Sequence, residues 1–328
     1  MSAPGRVNLI GDHVDYTGGL VMPMAIDMRT VIDFTPAETV TLHSNDAEGT
    51  VTFSPGRPYD QSLEPSWGRY VAAVASLMDA PRGFDGRAST NLPVGAGLSS
   101  SAALEIAAAL ALGFDGGAKD LALLCQRAEH LATGVPTGIM DQLSIASARE
   151  GHATMIDCTD LSVAHVPIPD DAAILVRFVA HRTLVGSAYA DRVAECGAAE
   201  SEIGPLRSAT LDDVARISND VIRARAHHVV TENERVIAFA AAVTSGDLTT
   251  AGRLMSESHR SLSHEYQVST TQMDAAVADL AATPGVFGAR MTGGGFGGCI
   301  VALCRKNVDG AGWRVSPSAG PISESFDA

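Results

Sequence analysis

The sequence predicts an α+β fold built as one large domain or two lobes, and three observations carry that expectation. The chain has 328 residues, enough for a sizeable core. Hydrophobic residues make up 46% and charged residues 19%, the balance of a folded globular protein. Strand-like and helix-like pieces alternate in the first half, whereas strands bracket a run of helices in the second.

Taken in order, Val7 to Ile10 is a short apolar run leading into a turn rich in Gly and Asp. Val31 to Phe34, Val40 to His43 and Val51 to Phe53 read as strands, with β-branched residues and turn signals between them. Trp67 to Met78 has helical spacing of apolar residues. Ser89 to Leu92 reads as a strand entering a glycine-rich loop, followed by helices at Ser101 to Leu112 and Leu121 to Leu131, the second ending near Gly134. Strand-like pieces return at Thr154 to Asp157 and Ile174 to Ala180. Helices are expected at Ser187 to Glu200, Leu211 to Ile217, Ile222 to Ser245, Thr249 to Leu262 and Thr271 to Leu280. Phe287 to Met291 and Cys299 to Leu303 look like strands flanking a glycine cluster. The boundary between lobes is placed near residue 160, giving lobes 1–160 and 161–328.

Composition narrows the function. A formal net charge of −15 argues against a nucleic-acid surface, which needs clustered Lys and Arg. Only two lysines occur, Lys119 and Lys306, so any phosphate chemistry must rely on backbone amides, arginine and metal. The five cysteines are odd in number and form no C-x-x-C pair, which points to reduced core cysteines rather than disulfides or zinc. No signal peptide opens the chain and no apolar run reaches membrane-spanning length, so a cytoplasmic location without membrane contact is expected.

Three segments carry chemistry. The first runs from Pro93 through Gly95, Ala96, Gly97, Leu98, Ser99 and Ser100 to Ser101, glycines and then hydroxyls leading into an alanine-rich helix. Glycines let a backbone approach an anion, and a helix N-terminus offers free amides and a positive dipole, so this is a phosphate cradle by chemistry. It lacks the Gly-Lys-Ser/Thr ending of a P-loop and the Rossmann glycine spacing. An ordinary loop with serine capping a helix fits the same pattern. The second segment, Met291 to Gly298, holds five glycines in six positions, costly to order unless the backbone turns tightly or packs against another backbone or a ligand. The third runs from Gly5 to Gly19, where Arg6, Asp12, His13 and Asp15 bracket a short apolar strand. Packed acids beside Arg and His suit sugar hydroxyls, since carboxylates accept what a polyol donates; a solvated surface turn is the alternative.

Together and in this order, these segments resemble the GHMP kinase superfamily, which includes galactokinase, homoserine kinase, mevalonate kinase and phosphomevalonate kinase. The first in chain order resembles the galactokinase branch, where the usual form reads G-R-V-N-L-I-G-E-H-T-D-Y-N. Trp67 and Tyr70 resemble its W-x-x-Y helix, Gly138-Ile139-Met140-Asp141-Gln142 its G-I-M-D-Q segment, and Tyr189 with Arg192 a following Y-x-x-R pair. The similarity runs from about Ala3 to about Val301.

The resemblance implies a two-lobed GHMP kinase fold, with a mixed sheet and helices in the N-terminal lobe and an antiparallel sheet and helices in the C-terminal one. It implies ATP-dependent phosphorylation of the anomeric hydroxyl of galactose; a monomer is expected. Asp141 would be the catalytic base, and Arg6 would stabilise developing negative charge beside it. Ser101 and Glu129 would hold Mg²⁺, and Gly95 through Ser101 would wrap the ATP phosphates. Ser44 and Trp67 are further candidates on the nucleotide side. Asp12, His13, Asp15, Gly138 and Tyr189 would line the sugar pocket. His130, His181, His259 and the His227-His228 pair match nothing in the pattern and read as surface or core histidines.

Two departures bear on these expectations. Asp12 stands where the family usually has Glu, so the carboxylate is one methylene shorter and another sugar, such as N-acetylgalactosamine, comes into question. The family also carries a helix and strand start ahead of A-P-G-R, so either an edge element is missing or the chain begins later than its true start. A sugar-sensing regulator without catalysis is a further alternative, beside an inactive truncated product; the regulator would show damage in the serine loop or at the base, and Arg6, Ser99 to Ser101 and Asp141 are all present.

Overall fold

The computed structural model describes residues 1–181, 188–308 and 312–323. The first sheet has five strands in the order β1-β3-β6-β4-β5: β1 (Ser2–Asn8), β3 (Pro23–Ala37), β4 (Val40–Ser44), β5 (Thr50–Phe53) and β6 (Gly83–Thr90). All its pairings are antiparallel except β4 with β6, so the sheet is mixed, as expected. β3 is far longer than the Val31–Phe34 run, because its start pairs with β1 and its end with β6.

Four helices belong to this half: α1 (Gly68–Ser76), α2 (Ser100–Ala111), α3 (Ala118–Thr133) and α4 (Met140–Ala146). α2 packs on β1, β3, α1 and α3. Its alanines 102, 103, 107, 108 and 109 are fully buried, and their small side chains let the helix lie close to the strands around it. α3 stops at Gly134, whose φ of 70° places it in the left-handed conformation while its N–H bonds to His130 O.

A three-stranded antiparallel sheet links the halves: β2 (Leu20–Val21), β7 (His152–Asp157) and β8 (Ser162–Pro167). The proposed division near residue 160 falls in the β7–β8 turn. The second half carries a four-stranded antiparallel sheet in the order β10-β11-β9-β12, from β9 (Ala172–Ala180), β10 (Val286–Met291), β11 (Gly298–Arg305) and β12 (Trp313–Val315). Its helices are α5 (Tyr189–Ile203), α6 (Leu211–Val214), α7 (Asp220–Ser245), α8 (Leu248–His264) and α9 (Thr271–Ala281). The helix expected from Ser187 begins at Tyr189 among the described residues, and Ser187 itself lies outside them. α7 starts at Asn219, whose side chain accepts from the Val221 and Ile222 amides, and Asp247 caps α8 through the Thr250 amide. Such caps contribute about 1 kcal/mol each.

Neither half has a core to itself. Val236, Leu254 and Val301 are buried with the residues of β1, β3 and α2, while Val14, Val21 and Met140 are buried with those of the second half. The segments that carry the three motifs feed both clusters: Val7, Ile10, Ala96 and Leu98 join the first, Val14 and Met291 the second.

Candidate active site

β1 delivers Arg6 to the serine loop. Its amide bonds to Leu98 O (3.1 Å), and a Cβ on Gly5 would stand 2.6 Å from the same oxygen, so only glycine allows this approach. The Arg6 side chain is 2% exposed and ties three segments together. Nε and Nη2 donate to Asp141 Oδ1 (2.8 and 2.6 Å), and Nη1 donates to Gly97 O (2.7 Å). Ser99 donates to the other oxygen, Asp141 Oδ2 (2.5 Å), from a backbone held at φ 59°, a left-handed conformation unusual for serine. A carboxylate has about four lone-pair sites. These three bonds leave one acceptor position on Oδ2.

Asp141 stands at the junction of two cavities and lines both, as does Thr137. The larger has a volume of about 430 Å³. Gly95, Gly97, Ser99, Ser100, Ser101 and Ser44 line it, with Trp67 and Tyr70. Ala96 and Leu98, expected in the same loop, do not line it; their side chains are buried in the core, and only their backbone remains for a ligand. The alternation follows from a tightly turned loop in which Gly95, Gly97 and Ser99 hold positive φ (74°, 80° and 59°) while Ala96 and Leu98 between them point into the core.

Glu129 reaches this cavity from α3. Ser101 donates to its Oε1 (2.9 Å), and Thr137 (3.1 Å) and Gln142 Nε2 (2.8 Å) donate to its Oε2. Burial pushes its carboxyl above the usual range, Asp141 pushes the same way, and the three donors oppose them. A second buried acid, Glu105, lies behind; Gln142 Nε2 also reaches its Oε2 (3.3 Å), and burial followed by Glu129 raises its carboxyl well above normal.

The smaller cavity is lined by Arg6, Asp12, His13, Asp15, Gly138 and Tyr189, with Gly293 and Gly294 from the second glycine segment. Gly138 is required by contact: a Cβ there would lie 1.9 Å from Asp15 Oδ2. Burial raises the Asp15 carboxyl to about 7, Asp141 and Asp12 add repulsion, and the Met140 and Tyr16 backbones oppose it. His13 Nδ1 pairs with Tyr16 Oη (2.9 Å), Tyr16 with Tyr266 Oη (2.6 Å), and Tyr266 with Cys196 Sγ (3.0 Å). The His13 ring centroid is 5.4 Å from that of Tyr189. Asp12 differs from the expectation of a carboxylate free to reach a ligand. Its Oδ1 accepts from the Gly293 amide (2.9 Å), and its Oδ2 is 2.7 Å from Arg290 Nη2.

The sequence reading missed a set of residues behind this cavity. On α7, His228, Glu232 and Asn233 face the loop after β1. His228 Nε2 pairs with Asp12 O (3.1 Å), Glu232 Oε1 accepts from the Gly11 amide (3.0 Å), and Asn233 Oδ1 accepts from the Leu20 amide (2.7 Å). His228 is therefore a buried structural partner of the loop, and burial lowers its imidazole to about 4. The signal was present as polar residues on the apolar face of a long helix. Thr292 stitches the same region by exchanging two bonds with the Asn8 backbone (2.9 and 3.0 Å).

Comparison with known proteins agrees with this geometry. A model described as the galactokinase galactose-binding signature matches residues 1–36. Models for the N-terminal and C-terminal GHMP kinase domains match residues 69–149 and 239–311. Galactokinase from Roseiflexus sp. (strain RS-1) is 41% identical over 332 residues, covering 93% of this chain and 83% of that one. Galactokinase from Homo sapiens is 40% identical over 331 residues, covering 94% and 84%. The structure of Lactococcus lactis galactokinase complexed with galactose superposes with a TM-score of 0.88 at 28% identity, covering 97% of this chain and 93% of that one. Methanococcus jannaschii mevalonate kinase shares the fold, with a TM-score of 0.65 at 21% identity over 94% of this chain and 91% of that one. With three family models matched and relatives this similar over nearly its whole length, the chain belongs to the galactokinase family of GHMP kinases.

Proposed function

We propose that this chain transfers the γ-phosphoryl group of ATP to the anomeric hydroxyl of D-galactose, giving galactose 1-phosphate and ADP. The observation that carries the proposal is the position of Asp141, one carboxylate lining two cavities at once. The larger cavity takes the nucleotide, its phosphates against Gly95 to Ser101. The smaller takes the sugar, between Asp12, His13, Asp15 and Tyr189. The acceptor hydroxyl then lies beside Asp141 Oδ2, whose remaining lone pair receives the proton as the oxygen attacks phosphorus. A carboxylate is a weak base for an alcohol, so most of the rate comes from alignment and charge stabilisation. Arg6 supplies positive charge there while fixing Asp141.

Ser101 and Glu129 fit Mg²⁺, since both present hard oxygen donors at the wall of the nucleotide cavity. When bound, the ion neutralises phosphate charge. Both cavities are lined by one chain, which supports a monomer sufficient for catalysis. No helix among the described residues is long and apolar enough to cross a membrane, and we place the enzyme in the cytoplasm.

The test is ADP release from ATP and Mg²⁺ with a panel of hexoses and N-acetylgalactosamine. Galactose is expected to give the highest kcat/KM. A folded sample that releases no ADP with any sugar refutes the proposal.

A further inference from the structure

Behind the wall of the smaller cavity lies a charged cluster that no sequence motif announced. Arg290, on β10, is fully buried, and so is Glu232; Asp12 is 1% exposed. Arg290 Nη2 lies 2.7 Å from Asp12 Oδ2 and 3.9 Å from Glu232 Oε1. The two acids do not depend on it equally. Glu232 has its own counter-ion in Arg235, whose Nε donates to Oε2 (2.7 Å), and it also takes the Ser258 hydroxyl (2.5 Å) and the Gly11 amide. Burial pushes the Glu232 carboxyl up, but Arg235, His228 and Arg290 together pull it down to about 2. Among the described residues, Arg290 is the one cation within ion-pair distance of Asp12.

A buried carboxylate deprived of its counter-ion takes up a proton or turns toward water. Burial already pushes the Asp12 carboxyl up, and Arg290 is the largest influence holding it down. The other charged or titratable groups around Asp12 are Arg6 on β1, His13 and Asp15 on its own loop, and His228 and Glu232 on α7. Asp12 in turn holds the Gly293 amide, and Gly293 and Gly294 line the cavity. One guanidinium thus fixes both an acid and a backbone turn at the cavity wall.

We propose that Arg290 is a positioning residue for sugar binding, acting through Asp12 and Gly293 and making no contact with the sugar itself. The proposal rests on the reading of the smaller cavity as the sugar site. It sets Arg290 apart from the phosphoryl-transfer machinery, because its ion pairs go to Asp12 and Glu232, and Asp12 meets Arg6 only through space. Its loss therefore acts on sugar affinity, with kcat and the KM for ATP little changed. That split is expected where an interaction is equally present in ground and transition states.

The experiment is a double-mutant cycle with Arg290→Lys, Asp12→Asn and the double variant, reading kcat and both KM values by ADP release. Lysine keeps the charge but loses the planar fork. Each single variant is expected to raise the KM for galactose roughly tenfold or more, a small part of what breaking a buried ion pair costs. Both should leave kcat and the KM for ATP within about twofold, and the double should be no worse than Asp12→Asn. Multiplying single effects, or an equal rise in the KM for ATP, overturns the proposal. If Arg290→Lys does not fold, Arg290→Gln with Asp12→Asn removes both charges together. That pair should fold and share the galactose KM of Asp12→Asn. If it does not fold while Asp12→Asn alone does, Arg290 serves the fold and the proposal fails. A wild-type protein inactive on every sugar refutes the function instead, which keeps the two failures distinct.

Discussion

Asp15 is expected to make the proposed sugar site pH-dependent, and the size of the effect follows from its surroundings. Burial, then Asp141 and Asp12, raise its carboxyl to about 7. The ionised form accepts hydrogen bonds from sugar hydroxyls; the protonated form offers a donor in place of one acceptor. With a value of about 7, the ionised fraction is roughly nine-tenths at pH 8, half at pH 7 and one-tenth at pH 6. Lowering the pH from 8 to 6 should thus cut kcat/KM for galactose about tenfold, and that ratio reports on the free enzyme. The stability linkage has the opposite sign. Between the ordinary carboxylate value of 3.8 and about 7, the folded protein holds a proton that the unfolded chain lacks, so acidification in this window makes Asp15 less costly to the fold. Loss of activity at pH 6 should therefore appear without a matching loss of Tm from this group. The assay is kcat/KM against pH for the wild type and Asp15→Asn, with thermal melts at each pH. Asp15→Asn should be weak in sugar use throughout and lack the acid limb. A flat wild-type profile between pH 6 and 8, or a limb that survives in Asp15→Asn, refutes the reasoning.

Two further outcomes are expected. Asp141→Asn should lower kcat by at least ~10²–10⁴-fold, the usual worth of a positioned base, while circular dichroism and Tm show a folded protein. The amide oxygen still accepts from Arg6, and the Ser99 hydroxyl can reverse to accept from the new NH₂ group; near-wild-type turnover would remove Asp141 from its role. Glu129→Gln should raise the Mg²⁺ needed for half-maximal rate by ~10-fold or more, since losing even an outer partner of a metal typically costs 10–100-fold. An unchanged Mg²⁺ titration would move the metal elsewhere.

How much of this was legible in the sequence depended on distance along the chain. Arg6, the serine loop and Asp141 were singled out because each sits in a compact segment: the serine loop and Arg6 by their residue types, Asp141 by resemblance to a family pattern, and the structure brings all three together. The fold class was readable for a similar reason: the long helices α2, α3, α7 and α8 show their period locally. β2, β8 and β12 were not foreseen, since strands of two, six and three residues exist through their partners rather than their own pattern. α4 went unread because Asp141 and Gln142 were seen as a motif, although they open a seven-residue helix. Ser99 was assigned to phosphate, yet its hydroxyl is given to Asp141, 42 positions later. His228 and Arg290 were hidden most deeply. Their partner Asp12 lies 216 or more positions away in sequence, and on its own helix or strand neither shows more than a polar residue on an apolar face.

Asp12 shows why a departure from a family pattern cannot be judged by side-chain length alone. From the sequence, one methylene fewer means roughly 1.5 Å less reach toward a sugar. In the structure, the acid already spans the distance to two protein partners, Arg290 at 2.7 Å and the Gly293 amide at 2.9 Å. A Glu at this position could not extend further along that line without driving its carboxylate into them. The added methylene would have to turn toward the smaller cavity, the open side of Asp12. Aspartate therefore exchanges reach for anchorage: it braces the glycine turn from behind, while Asp15, His13 and Tyr189 line the same cavity. On this argument Asp12 sets the shape of the sugar site, and Asp15, whose carboxyl is poised near neutrality, sets when that site is open to a hydroxyl-bearing ligand.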